Sequence, residues 1–476
     1  MKLKIKKTVA AASAVIMTSS LVIGMTGCGG SDDSSSKSTT KASQEDNKGG
    51  SSDSQSKSIT DLKLGEDGKD LKTSIKILTN RTDLVDTKFA DYVKKFNETY
   101  PNIEVKYEGL TDYDTDITTR LTADDWGDIC MIPGSVDKKD LSSKFISFGK
   151  TDELSKKYSW LADKSYDGES YGIPSAGTAR GIVYNKKVFE KAGITELPKT
   201  PDDFLDALKK IKDTKSATYP LYTNFAAGWT MGAWDDYIDG TATGDPDFKN
   251  NIMCHQENPF TYGKDKKMGP YYVYYVLYNA IKDGLTEEDL TGSDWESSKG
   301  KLNRGEIGCM VLGNWAVIQM QQADKNPDDI GYMPFPITVN GKQYSGVGGD
   351  YNYGINCKSD SDKQLAAELY VKFLVEESGY ANDQSMLSTV VGSELPEALA
   401  SFKDVELISQ NAPKAGEEDL FSNINAASEL GIGTGNDNDQ RVAQAAKDGS
   451  ETLDDIINDW NEKWKTAQES CDALNK

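Results

Sequence analysis

The sequence predicts an α/β protein of two lobes, each a mainly parallel sheet flanked by helices. Three observations predict it. A strand–helix–strand–helix–strand alternation starts at Ile75, the pattern of a parallel sheet with helices packed on it. A second strand-and-helix run starts at Ile182. Between them lies residues 171–181 (YGIPSAGTARG), an extended, Pro-containing entry followed by small residues, with the texture of a chain crossing from one lobe to the other. At 476 residues the chain is long enough for two domains of ordinary size.

The first 27 residues read as an address. Lys2, Lys4, Lys6 and Lys7 form a basic start, and residues 8–25 carry no charge before Met25-Thr26-Gly27-Cys28. Small residues ahead of a Cys at this place resemble a bacterial lipobox, with Met25 where Leu is usual, so 1–27 is expected to be a lipoprotein signal peptide and Cys28 the lipidated residue. A transmembrane anchor is the competing reading, but the uncharged stretch is near the lower limit for a span and polar sequence begins directly after the Cys. Residues 28–72 are expected to form the lipidated Cys and a disordered tether, because a Ser-, Gly-, Lys- and Asp-rich segment buries too little apolar surface to offset its ordering entropy. Such a coil reaches roughly 35 Å.

Lobe 1 is expected over 73–178 plus 346–385. Ile75, Ile77 and Leu78 begin a strand, and Phe89, Tyr92, Val93, Phe96 and Tyr100 recur at helical spacing until Pro101 stops them. Ile103, Val105 and Tyr107 alternate as a strand, Tyr113, Ile117 and Leu121 space a helix, and Asp128-Ile129-Cys130-Met131-Ile132 is a third strand. Ligands of such sheets bind beyond the carboxyl ends of the strands, which points to Asn80, Arg81 and the loop after Ile132.

Lobe 2 is expected over 179–345 plus 386–476. Ile182-Val183-Tyr184 is its first strand, and a helix over 201–211 opens with Pro201, Asp202 and Asp203. Trp229 and Trp234 stand among Gly and Ala, followed by Asp235. Core packing and a flat apolar plate at a cleft are both open for them. The run at 271–278 (YYVYYVLY) reads as a buried helix face. Ile307 to Leu312 form a strand, and a helix starts at Gly313-Asn314-Trp315. Gly346, Gly348 and Gly349 permit a tight second crossing into a strand at 351–355. Asp362 to Glu376 and the stripe Leu453, Ile456, Ile457, Trp460, Trp464 are amphipathic helices.

Acidic residues outnumber basic ones, 76 to 54, for a formal charge of −22. That surface argues against nucleic-acid binding. A single His, His255, leaves little for His-based catalysis or His metal sites. No phosphate-cradling loop is present, and Asp112, Asp114 and Asp116 lack the later Gly and Glu of a calcium loop, so no cofactor and no metal are expected. Cys130 and Cys309 lie in apolar runs, and the spacing of the cysteines gives no connectivity. What remains is aromatic and polar residues at strand ends. An aromatic face covers the C–H face of a sugar, while Asp, Asn and Arg bind its hydroxyls. Trp229, Trp234 and Trp315 beside Asp235, Asn80, Arg81 and Asp128 fit such a site.

Several stretches carry a resemblance: Tyr171-Gly172-Ile173-Pro174, Tyr184-Asn185-Lys186, Ala192-Gly193-Ile194, PKTPDDF over 198–204, Gly127-Asp128-Ile129, and LNRGEIGCMVLGNW over 302–315. They resemble the carbohydrate-binding, maltose-binding-protein-like group of extracellular solute-binding proteins of bacterial ABC importers, over about 73–476. The resemblance implies a periplasmic-binding-protein-like (Venus flytrap) fold with hinges at about 174–181, near Gly346 and near 385–395. It implies a binder rather than an enzyme, closing around a carbohydrate and delivering it to permease subunits. It places Asn80, Arg81, Asp128 and Trp315 at ligand positions; Trp229, Trp234, Asp235, Asp350 and Tyr351 join them from the residues alone. With the lipobox, a monomer held by lipid on the outer face of a Gram-positive cell membrane is expected. A non-sugar solute such as a peptide or polyamine, or a surface glycoside hydrolase, are the alternatives.

Overall fold

The computed structural model describes residues 57–475. The signal segment, Cys28 and the tether as far as residue 56 lie outside the described residues. Among the described residues no helix is long and apolar enough to cross a membrane.

Two sheets organise the body. The first has five strands in the order Ile103–Gly109, Thr73–Thr79, Ile129–Met131, Asn352–Ile355, Ile173–Pro174. The second has four, in the order Tyr219–Leu221, Ile307–Val311, Gly181–Asn185, Ile330–Pro334. In each, all strands but one run in the same direction. Thr73–Thr79 runs parallel to both of its neighbours, but Asn352–Ile355 enters antiparallel. In the second sheet Gly181–Asn185 is antiparallel to both neighbours. The two exceptions are the strands that immediately follow a crossing, where the chain arrives from the other sheet instead of from a covering helix.

The helices form where periodicity and caps agree. Lys88–Thr99 buries Phe89, Tyr92 and Phe96 on one face and stops before Pro101. Pro201–Thr214 has Pro in its first turn and the Thr200 hydroxyl accepting from the Asp203 N–H. Pro270–Lys282 buries Tyr271, Tyr274 and Tyr278. Leu453–Ser470 starts with a Thr452–Asp455 capping box and buries Trp460 and Trp464 completely. One core lies against the first sheet and a larger one against the second, with a smaller apolar cluster near the crossings.

Three chain segments pass between the sheets, and they are bonded to one another. Gly177–Ala179 pairs antiparallel with Lys342–Gly349, which pairs parallel with Glu406–Ser409. Gly177 and Leu387 exchange both backbone bonds, at 2.7 and 2.9 Å. Trp160 wedges against this ladder in a left-handed conformation (φ 60°), its indole N–H donating to the Ser409 hydroxyl at 3.1 Å. A Cβ on Gly177 would fall 2.2 Å from that indole, so the ring occupies the space that only glycine leaves.

Two expectations are corrected here. Gly346, Gly348 and Gly349 do mark the second crossing, but as part of the extended strand Lys342–Gly349 rather than as a tight bend, and none has positive φ. Gly346 instead permits close approach, since a Cβ there would lie 2.6 Å from an Asp239 carboxylate oxygen and 2.7 Å from an Arg180 nitrogen. The ordered body also begins before Thr73. Ile59 and Leu62 are buried in the first core, and the buried Lys372 ammonium donates to the Ile59 carbonyl at 3.1 Å.

Candidate functional site

At the carboxyl end of Thr73–Thr79 the chain leaves the sheet through Asn80 and Arg81. Arg81 is folded back on Asp83, its guanidinium donating twice, at 2.9 and 2.7 Å. Burial opposes the Asp83 charge, but the bonds from Arg81 outweigh it and hold the carboxyl below its usual range. The side-chain oxygen of Asn80 is buried without a hydrogen-bond partner. Asp350 sits where two crossings meet, its N–H donating to the Ala176 carbonyl at 2.9 Å. Burial raises the Asp350 pKa against the opposing pull of the Tyr351 N–H and Arg81. Tyr351 packs edge-on to Tyr113 and borders a second hollow with Asp114, Thr118 and Ser135.

On the other side, a cavity of about 640 Å³ lies against the second sheet. Its walls come from four places: Thr178 to Arg180 in the first crossing, 229–237, Leu312 to Trp315, and 433–436. Trp229 stands 44% exposed at this cavity, and its ring centre lies 5.1 Å from Trp295 and 5.8 Å from Trp315. Trp295 and Trp315 are 6.1 Å apart, so the three indoles form one platform.

Local sequence builds the platform. Gly313 leaves room for the Trp315 indole, whose nitrogen would lie 2.5 Å from a Cβ at that position. The fully buried Asn314 accepts from the Ala179 N–H and donates to the Ser385 carbonyl, both at 2.8 Å, tying two crossings to the base of the Trp315 helix. Trp229 follows a loop held by Glu287, a buried carboxylate that accepts from the Thr223 N–H and hydroxyl and from the Asn224 N–H. Arg180 reaches the cavity from the crossing, with Asp239 at 3.3 Å and Asp236 at 3.7 Å. Its Nε is buried with no hydrogen-bond partner.

Three expected ligand residues are elsewhere. Asp128 precedes the strand Ile129–Met131 and so lies at the opposite pole from Asn80. Its carboxylate accepts from the Lys76 N–H at 2.8 Å and the Ser359 hydroxyl at 2.7 Å, which fixes strand ends together. Trp234 is 1% exposed and packs edge-on against Phe335 in the larger core. Asp235, buried, accepts from the Tyr274 hydroxyl at 2.6 Å and the Gly433 N–H at 2.7 Å; it supports the cavity wall from behind. Asn80, Arg81, Asp350 and Tyr351 gather at one sheet, Trp229 and Trp315 at the cavity of the other. Sequence reasoning missed Trp295, Arg180, Asp236 and Asn436. Trp295 lies in a charged stretch and Arg180 among small residues, so neither has neighbours that mark it. Among the described residues no group of His, Cys, Asp and Glu is arranged to hold a metal ion.

The model of a family described as bacterial extracellular solute-binding protein matches residues 82–381. Among solved structures the chain is similar to a manno-oligosaccharide-specific solute-binding protein of Bifidobacterium animalis subsp. lactis in complex with mannotriose. The identity is 48% and the TM-score 0.80, covering 87% of this chain and 99% of that one. A binding protein of an ABC transporter from the same organism, in complex with mannobiose, matches with the same identity, coverage and TM-score. The melibiose/raffinose/stachyose-binding protein MelE of Bacillus subtilis is 23% identical over 338 residues, 68% of this chain and 74% of its own length.

Proposed function

This chain belongs to the bacterial extracellular solute-binding protein family, and from that premise we propose that it captures a short manno-oligosaccharide and hands it to the permease of an ABC importer. The observation that carries the reading is the indole platform at the cavity, where Trp229 and Trp315 line the wall and Trp295 packs against both. Pyranose rings offer an apolar face to such a surface, and Arg180, Asp236 and Asn436 stand beside it for the hydroxyls. The similar chains described with mannobiose and mannotriose support this sugar over others. Asn80, Arg81, Asp350 and Tyr351 are read as the opposing jaw, and the unpartnered oxygen of Asn80 favours a ligand there.

Closure is read as rotation about the three-segment ladder. Contacts to both jaws exist only in the closed form, so ligand draws the population toward it. The lobe limits follow from this axis: 73–178 plus 346–385 and 179–345 plus 386–476, with the first lobe extended back to Ile59. The protein is read as a monomeric binder without turnover, tethered through lipid on Cys28 to the outer face of the membrane.

Thermal-shift and calorimetric titrations with mannobiose, mannotriose, maltotriose, raffinose, a peptide mixture and spermidine test the reading. Tight ligand stabilises by mass action. A manno-oligosaccharide is expected to raise the Tm and to be recovered intact. A shift with peptide or spermidine alone moves the assignment to a non-sugar solute, and release of mannose makes the protein a hydrolase.

A further inference from the structure

Behind the cavity two carboxylates are buried together. Asp235 is 3% exposed and Asp439 1%. Asp235 belongs to the segment Ala233–Ile238, whose Ala233 and Asp236 line the cavity. Asp439 is in the first turn of Asp437–Asp448, directly after the lining residues 433–436. The two wall segments touch backbone to backbone, since a Cβ on Gly232 would lie 2.3 Å from the Gly435 carbonyl oxygen.

Both Asp235 oxygens already receive donors, from the Tyr274 hydroxyl and the Gly433 N–H. Asp439 Oδ1 is buried and receives none. Two ionised carboxylates are acceptors only and repel in a site removed from water. A proton on Asp439, donated to Asp235 within its hydrogen-bonding reach, resolves both facts. We propose that Asp439 is a positioning residue that carries a proton shared with Asp235, and that this proton joins the two walls of the ligand cavity, making sugar capture stronger in mild acid.

The surroundings agree. Facing the pair are Tyr274 from Pro270–Lys282, the Gly433 N–H from the glycine loop, Asp236 from the same segment as Asp235, and Lys249 from Phe248–Ile252. Lys249 is the cation in reach, and it also lies 5.2 Å over the Phe421 ring. Burial pushes the Asp235 pKa up from 3.8 to about 6, against the bonds from Tyr274 and Gly433. Burial and Asp235 push Asp439 up as well. Both groups hold their protons more tightly folded than unfolded. Each contribution is full below the unfolded pKa of 3.8; that of Asp235 is lost as pH rises through about 6, and that of Asp439 as pH rises through its own raised value.

The inference rests on the cavity being the ligand site, so its test has one arm without ligand. In the full-length protein, thermal unfolding and mannotriose affinity are followed from about pH 5 to about pH 8 for the wild type and Asp439→Asn. An Asn amide donates to Asp235 at every pH. The wild type is expected to lose Tm relative to D439N as pH rises, and its mannotriose Kd to weaken severalfold, while that of D439N stays flat. Parallel unfolding profiles overturn the shared proton. A Kd slope equal in both proteins overturns its link to the cavity. If mannotriose binds neither protein, the sugar assignment fails and the unfolding comparison still decides the acid pair. Should D439N fold poorly, Tyr274→Phe serves instead. It removes one donor from Asp235, and a wild-type profile left unmoved by it overturns the proposal.

Discussion

Trp229 and Trp234 stand in one short Gly- and Ala-rich segment and meet opposite fates. Trp229 is exposed beside two other indoles, whereas Trp234 is enclosed by the larger core. Trp229→Ala and Trp315→Ala should each weaken mannotriose binding by about 1–3 kcal/mol, with little change in unfolding, on the scale of an aromatic stacking contact and its buried area. Trp234→Ala should lower unfolding free energy by about 3–5 kcal/mol in urea titration, because it leaves a core cavity. Unchanged affinity in the first pair removes the platform from the site; unchanged stability in the third removes Trp234 from the core. The sequence could not separate the two residues, since segment composition fixes neither which side of a turn faces the core nor which faces the solvent. Asp128 shows the same limit at a strand. Its motif marks a strand start, and only the direction of that strand reveals that the start is the pole away from Asn80.

At the scale of elements, periodicity was a sound guide. The helices Lys88–Thr99, Pro201–Thr214 and Leu453–Ser470 lie where their apolar spacing puts them, the last two with side-chain caps at their starts. Strand pairing was less legible, because direction depends on where a chain has come from. The ladder of crossings is the case in point: its glycines read as a tight crossing, and they lie in an extended strand pressed against Arg180, Pro174 and Trp160. Gly177→Ala should destabilise by about 1–3 kcal/mol, the usual cost of overpacking, by displacing the Trp160 ring. Combined with Trp160→Ala the losses should be less than additive in a double-mutant cycle; additive losses would mean that the ring does not rest on that glycine. The N-terminal arm was hidden in polar composition, where Ile59 and Leu62 are too sparse to signal order. A chain starting at Thr73 should melt below one starting at Lys57, since each buried aliphatic contributes about 1.5–3 kcal/mol. Equal melting temperatures would leave the arm without a structural role.

For the whole molecule, the two β-α runs pointed to two lobes, the acidic surface and single His narrowed the function, and the resemblance carried by segments such as 171–174 and 302–315 implied a binder. The jaw-forming residues scattered over the chain were harder to assemble, since Trp229, Trp295 and Trp315 come from separate loops that only folding unites. The proposed lipid anchor makes its prediction at this scale: Cys28→Ala should move the protein from the membrane fraction to the medium, and continued retention would refute anchoring at that residue. The ladder has one further consequence. Each sheet has its own core, and the segments that join them are pinned edge to edge, so closure as proposed leaves the lobes a single coordinate, an angle. Whatever sugar lies inside, a reader at the membrane surface receives only that angle. The identity of the cargo is tested within the cavity and is not transmitted; outwardly the protein broadcasts one bit, empty or full.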